Sequence, residues 1–254
     1  MLHWPDSMFE YLTEDNILFS NDAFGQHYAS EFMYNDLVDQ DELYRECIKY
    51  YANILTPFSA LVQKKIDQFL KLSLPLDLIC TSHGVIWRDN PLQIVEKYRQ
   101  WADAYQENQV TLIYDTMWNG TRIMAEHIAK GIRAVNPDLT VKLYNAAKQD
   151  KNDIITEVFR SKAVLVGSPT INRGILTSMA ALMEEIRGLG FKQKKGAAFG
   201  TYGWSGESVM LLSDLLQASG FELIREVLKI LWNPDEESRH KSIEFGKSIA
   251  KAIQ

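Results

Sequence analysis

VTLIYDTMWNGT, residues 110–121, is the stretch whose reading decides the fold. Val110-Thr111-Leu112-Ile113-Tyr114 is a short β-branched and aliphatic run that reads as a buried strand, and it breaks into small polar residues before helical spacing begins at Arg122. The unit is strand, loop, helix. A loop between a strand's carboxyl end and a helix's amino end turns backbone N–H groups outward with the helix dipole behind them, which suits a phosphate. Thr116, Asn119 and Thr121 add side-chain donors.

The same grammar continues to the end of the chain. Strands read at 110–114, 139–144, 162–167, 195–200 and 221–231 alternate with helices at 121–134, 152–160, 175–188, 207–218 and 235–253. Such alternation predicts an α/β fold with an open, doubly wound, five-stranded parallel sheet whose ligand sits at the carboxyl ends of the strands. Before Gln109 the pattern differs. Two short apolar runs, 9–12 and 17–20, flank the turn-prone Thr13-Glu14-Asp15-Asn16 and read as a hairpin. Apolar residues at helical spacing run from Gln40 to Leu72 with Pro57 marking a join, a strand is read at 76–80, and a helix at 91–105 begins on a proline. Two domains follow from this, 1–107 and 108–254.

A chain of 254 residues, 46% hydrophobic and 24% charged, can bury two medium cores. Its net charge of −6 argues against nucleic-acid binding, which needs clustered Lys and Arg. The one basic run, Lys192-Gln193-Lys194-Lys195, reads as a solvated turn between helix and strand. Cys47 and Cys80 are far apart and form no metal or disulfide motif, which points to the cytoplasm. No apolar run approaches the roughly 20 residues of a membrane span, and the opening Met1-Leu2-His3-Trp4-Pro5-Asp6 lacks the basic end and apolar core of a signal peptide. A start directly in Trp-Pro suggests truncation.

Three loops close the first, third and fourth strands of the alternating half: DTMWNGT at 115–121, SPTINRG at 168–174 and TYGWSG at 201–206. Neighbouring strand ends let one ligand touch all three. The first loop offers the phosphate donors, while Pro169, Thr170, Ile171, Asn172, Thr201, Tyr202, Gly203, Trp204, Ser205 and Gly206 can flank a flat aromatic ring and bond its edge. Each loop taken singly is also an ordinary capped turn. Together they resemble the flavodoxin family over 110–254. That resemblance implies FMN, with Thr116, Met117, Trp118, Asn119, Gly120 and Thr121 at its phosphate. The family pattern T/S-x-T-x-N-T is departed from at Asp115, whose charge would repel a phosphate unless it is turned away.

His3, Asp22 and His83 supply imidazole nitrogen and carboxylate oxygen of the kind iron or zinc accepts, though no two are close enough in sequence to make a local ligand motif. His3-Trp4-Pro5, SNDAFG at 20–25 and TSHG at 81–84 resemble the later ligand motifs of the metallo-β-lactamase-like domain of flavodiiron proteins, in which that domain precedes a flavodoxin domain. The 40–72 helical region and HGVIWRDNP at 83–91 resemble the flavorubredoxin, or anaerobic nitric oxide reductase, branch. By that resemblance His3 and His83 ligate iron and Asp22 bridges two ions. His27, on what reads as a solvent-facing loop, is left out. The family's first ligand cluster, H-x-E-x-D-H, occurs nowhere in the sequence, nor does a rubredoxin module, so the expectation is a partial metallo-β-lactamase-like αββα domain with an incomplete diiron site.

The resemblance implies an oxidoreductase in which electrons reach FMN from rubredoxin or a rubredoxin reductase and pass to a diiron centre that reduces nitric oxide or oxygen. A head-to-tail homodimer is implied in the same way. A second reading is a non-catalytic FMN electron carrier whose first domain serves docking or dimerisation. A stand-alone metallohydrolase explains nothing after Gln109.

Overall fold

A computed structural model describes residues 3–224 and 227–254; Met1 and Leu2, and Arg225 and Glu226 within the strand expected at 221–231, lie outside the described residues. The chain divides into two units, Met1–Tyr105 and Gln106–Gln254.

In the first unit, β1 (Glu10–Leu12) and β2 (Ile17–Asn21) form the expected hairpin, and β3 (Leu78–Thr81) joins β2 in parallel. The unit's helices are α1 (Gln40–Tyr50), α2 (Ser59–Leu70) and α3 (Leu92–Ala102), of which α2 packs against α3. Asp39 caps α1 by accepting the Glu42 N–H, and the Pro57 join is a π turn followed by a 3₁₀ turn, as a residue with no N–H requires. Leu18 and Ile79 are buried, and a ring cluster of Phe24, Tyr51, Tyr98 and Trp101 fills the interior. Leu12 and Phe19 point the opposite way and are exposed.

The second unit alternates strand and helix through β4 (Gln109–Tyr114), α4 (Gly120–Val135), β5 (Thr140–Asn145), α5 (Lys151–Arg160), β6 (Ala163–Gly167), α6 (Thr177–Leu189), β7 (Lys195–Tyr202) and α7 (Ser208–Ala218), and ends with two short strands, β8 (Glu222–Leu223) and β9 (Leu228–Leu231), before α8 (Glu236–Ala252). The sheet runs β5-β4-β6-β7, with β8 and β9 both on the outer edge of β7, and every pairing is parallel. This is the flavodoxin-like α/β sheet the sequence predicts, and all six residues of β4 are buried at its centre.

Two expectations need correction. Among the described residues the single strand at 221–231 is two short strands: β8 pairs Gly196 with Leu223 and β9 pairs Phe199 with Leu228, so the register against β7 shifts by two residues between them and one continuous ladder cannot run through. The basic run 192–195 is not a wholly solvated turn. Lys194 is buried and its Nζ donates to the carbonyls of Phe159 at 2.7 Å and Ser161 at 2.8 Å, satisfying acceptors left at the end of α5.

Helices α4 and α8 lie against each other at two glycines. A Cβ on Gly131 would stand 2.0 Å from the Ile243 carbonyl oxygen, and one on Gly246 would stand 2.1 Å from that of Ile128. Both obstacles are backbone, so neither can move aside. Gly246→Ala should therefore destabilise the second unit by about 1–3 kcal/mol, seen as a lower urea midpoint. Gly188→Ala in α6, where a Cβ meets nothing within 4 Å, should stabilise by about 0.5–1 kcal/mol instead.

Burial also pushes the Lys194 ammonium down to about 7. In the unfolded chain a lysine keeps its proton to about pH 10.4, so between these values the unfolded state binds more protons and stability rises with pH. Denaturant midpoints measured from pH 7 to pH 9.5 should rise in the wild type, and the rise should be smaller in Lys194→Met.

Candidate functional site

The in-register pairing of β4, β6 and β7 sets Tyr114, Gly167 and Phe199 side by side, so the three loops that follow are neighbours. Hydrogen bonds continue the ladder past the strand ends: Asp115 N–H to Gly167 O at 3.1 Å, Ser168 N–H to Phe199 O at 3.3 Å, and Thr170 N–H to Thr201 O at 2.9 Å.

The first loop enters α4 through Asn119, which sits in the left-handed region at φ 63° without a side-chain cap. The first intrahelical bond is Ile123 N–H to Asn119 O, and among the described residues no hydrogen bond is made by the N–H groups of residues 117–122. Unsatisfied donors at the start of a sixteen-residue helix are groups of the kind that favour an anion. Thr116 Oγ1 is buried with no partner among the described residues, as a donor awaiting an acceptor would be. Thr121 is turned the other way: it is fully buried and its hydroxyl meets that of Thr201 at 3.3 Å. Met117 and Trp118 project into solvent. Gly120 allows the loop to lie close to β7, since a Cβ there would come 3.0 Å from Thr201 Cγ2.

Asp115 is turned away from this cradle. Its carboxylate is almost buried, takes the Thr116 N–H at 2.7 Å on Oδ1, and accepts the Ser178 hydroxyl of α6 on Oδ2. The departure from the family pattern is therefore a strut between the phosphate loop and α6.

The second loop is rigid. Ile171 and Gly174 exchange two backbone bonds, and Asn172 and Arg173 between them both have positive φ, a tight primed turn. Thr170 Oγ1 donates to Ser208 Oγ at 2.9 Å at the start of α7, while Pro169 lies between that tie and β6. In the third loop, Thr201 and Tyr202 belong to β7 and the turn is Gly203-Trp204-Ser205-Gly206. Trp204 is 90% exposed. Gly206, at φ 75°, lies against the Tyr202 ring, and Ser205 Oγ donates to Glu207 at 2.6 Å. Sequence reading missed a fourth loop after β9, where the Trp232 ring stands 6.1 Å from that of Trp204.

In the first unit, His3, Asp22 and His83 converge although 80 residues of sequence separate the outer two. One oxygen of Asp22 faces His3 Nε2 at 3.5 Å, and the other faces His83 Nε2 at 3.7 Å. His83 Nδ1 lies 3.1 Å from the Gln26 carbonyl, which holds the proton on Nδ1 and leaves the Nε2 lone pair toward Asp22. Ser82 Oγ donates to Asp22 Oδ1 at 2.9 Å. Gly25 and Gly84 permit this packing: a Cβ on Gly25 would strike the His83 ring at 2.7 Å, and one on Gly84 would strike Gln26 Oε1 at 2.0 Å. His27 is exposed, yet its ring lies 5.3 Å from that of His83 and 5.0 Å from that of Tyr50. The Tyr50 hydroxyl is pushed up to about 12, first by burial and then by the Asp22 charge. Tyr50 falls within the helically spaced stretch 40–72, whose periodicity says nothing of this contact. Among the described residues no three His, Cys, Asp or Glu side chains close on a single metal ion. The pattern is instead one carboxylate shared by two imidazoles. A mainly apolar cavity of about 510 Å³ opens beside His3 and Asp22, lined also by Phe9, Phe24, Ile66 and Phe69.

Residues 112–246 match the flavodoxin family. The chain belongs to that family. FMN is the cofactor this membership implies, and the orphaned Thr116 hydroxyl together with the free N–H groups fits its phosphate. The chain is also a homologue, over nearly all its length, of proteins named anaerobic nitric oxide reductase flavorubredoxin: that of Klebsiella pneumoniae is 56% identical over 99% of this chain and 52% of its own length, and that of Escherichia coli O6:K15:H31 is 55% identical with the same coverage. The chain thus spans about half the length of these curated relatives. Among solved structures it is similar to the rubredoxin oxygen:oxidoreductase of Desulfovibrio gigas, with a TM-score of 0.95 and 36% identity over 100% of this chain and 63% of that one. The flavodiiron protein of Giardia intestinalis gives 0.92 and 31% over 99% and 62%.

Breaking the Asp115 strut should weaken FMN about tenfold, the worth of one hydrogen bond to a charged group, in both Asp115→Ala and Ser178→Ala. Riboflavin, which lacks the phosphate, should bind these variants as it binds wild type in a fluorescence titration. Tighter FMN binding by Asp115→Ala would show that the carboxylate acts only as a repelling charge.

Proposed function

We propose that the chain is an FMN-binding electron-transfer flavoprotein of the flavodiiron type, an oxidoreductase component that holds FMN in its second unit and contributes His3, Asp22 and His83 to a diiron centre. The observation that carries this is the Asp22 carboxylate, which presents one oxygen to each of two imidazoles whose Nε2 atoms face it. A plain flavodoxin has no use for such a group. Bound FMN would supply one- and two-electron redox chemistry, and iron held at His3, Asp22 and His83 would supply the chemistry for reducing nitric oxide or oxygen.

The chain's own residues bind and orient. The N–H groups of residues 117–122 and the Thr116 hydroxyl take the FMN phosphate, with Asn119 fixing the turn into α4. Pro169, Thr170, Ile171 and Asn172, together with Thr201 to Gly206, are the residues that would hold the flat ring, since their loops follow the neighbouring strands β6 and β7. In the first unit the Gln26 carbonyl fixes the tautomer of His83, and Ser82 steadies Asp22. The family implies rubredoxin or a rubredoxin reductase as electron donor, a homodimer, and a cytoplasmic setting. Among the described residues no helix is long and apolar enough to cross a membrane.

One observation favours a second reading, a non-catalytic FMN carrier: no group of three ligands closes on one ion among the described residues. Purified protein reconstituted with FMN and ferrous iron under anaerobic conditions separates the readings. The expected result is a visible flavin spectrum at full stoichiometry, iron bound below two per chain and lost in Asp22→Ala, and no nitric oxide consumption by the chain alone. Failure to take up flavin would defeat both readings. Iron that does not depend on Asp22 would leave only the carrier.

A further inference from the structure

Trp232 follows β9 with φ 57°, a left-handed conformation that is a true outlier for a bulky side chain. Three contacts hold it there. Its N–H donates to the Tyr202 carbonyl at 2.8 Å, its ring lies against Gly203 so closely that a Cβ on that glycine would come 3.3 Å from the indole, and its edge meets Trp204 at an interplanar angle of 61°. Nevertheless Trp232 is 62% exposed. A strained backbone that holds a large aromatic ring in water, beside a second indole even more exposed, gains nothing from the hydrophobic effect until a flat apolar surface covers both.

The residues after Trp232 turn toward the phosphate loop. A Cβ on Gly120 would meet Asn233 Oδ1 at 3.2 Å and Pro234 Cδ at 3.5 Å. The 232–234 loop thus touches the Gly203 turn at one end and the first residue of α4 at the other. It spans the distance between the ring loop and the phosphate loop.

Resting on the FMN reading above, we propose that Trp232 is a positioning residue of the ring site: it backs the Gly203 turn and sets the tilt of Trp204, whose indole receives the isoalloxazine ring. Aromatic neighbours of this kind quench flavin emission and favour one redox state of the ring over another through their π faces.

The test measures FMN and riboflavin affinity, bound-flavin emission and midpoint potential for wild type, Trp232→Phe, Trp232→Ala, Trp204→Ala and the double alanine variant. Trp232→Ala should weaken both flavins by about three- to tenfold, the range of an aromatic pair, with brighter emission and a shifted potential, while Trp232→Phe should stay close to wild type. In the Trp204→Ala background the second substitution should add little, as expected of a residue acting through its neighbour. Flavin affinity, emission and potential all unchanged in Trp232→Ala would overturn the proposal, as would full additivity with Trp204→Ala. Loss of FMN with riboflavin retained would overturn it as well, since that assigns the loop to the phosphate alone. A wild-type protein that takes up no flavin fails the FMN reading itself, whereas a wild type that binds flavin beside a silent Trp232→Ala fails this proposal only.

Discussion

Parallel pairing of β4, β6 and β7 in matched register is the constraint on which the second unit depends. It puts Tyr114, Gly167 and Phe199 in one row, from which β4 and β6 leave the sheet while β7 runs three residues further to Tyr202. Backbone bonds from Asp115, Ser168 and Thr170 to the neighbouring strand extend that row beyond the strands and pin the roots of the loops. The loops at 115–119, 168–174 and 203–206 therefore follow neighbouring strands of one sheet. The crossing of α4 and α8 at Gly131 and Gly246 then presses the helix that follows the first of these loops onto the sheet.

The first unit obeys a different constraint, close contact between backbone and ring. Gly25 and Gly84 let the His83 imidazole lie on the chain around Gln26, and that contact both fixes the tautomer and aims Nε2 at Asp22. The parallel pairing of β2 with β3 brings Asn21 opposite Thr81, which carries the 20–25 and 81–84 motifs to the same sheet end. Ligand-type side chains distant in sequence meet there because the sheet makes them adjacent, as in the flavodoxin half.

Much of this was legible. Alternation of β-branched strands with amphipathic helices after Gln109 is a local pattern repeated five times, and its elements form within a residue or two of the expected bounds. The loops were legible because Gly, Asn, Thr and Pro punctuate them for reasons internal to each turn. The failures have a common cause. Lys194 reads as a solvated charge because nothing in its own neighbourhood reveals the Phe159 and Ser161 carbonyls that bind it. The edge at 221–231 reads as one strand because the register shift between the Gly196–Leu223 and Phe199–Leu228 pairs exists only once β7 is beside it. Trp232 reads as the residue after a strand, and its ring partner Trp204 is 28 positions away.

Sequence alone determined the periodicities, the turn chemistry and hence the fold class, since these depend on interactions within a few residues. It also supplied the donor types, a Thr and Asn set in one unit and an Asp with two His in the other. Tertiary structure decided where those donors point. Asp115 could repel a phosphate or brace the loop that binds one, and only the approach of Ser178 on α6 selects the brace. Thr121 could face the ligand or β7, and the hydroxyl of Thr201 draws it to β7. A side chain's direction is set by whichever partner the folded chain brings within about 3 Å, and that partner is seldom nearby in sequence.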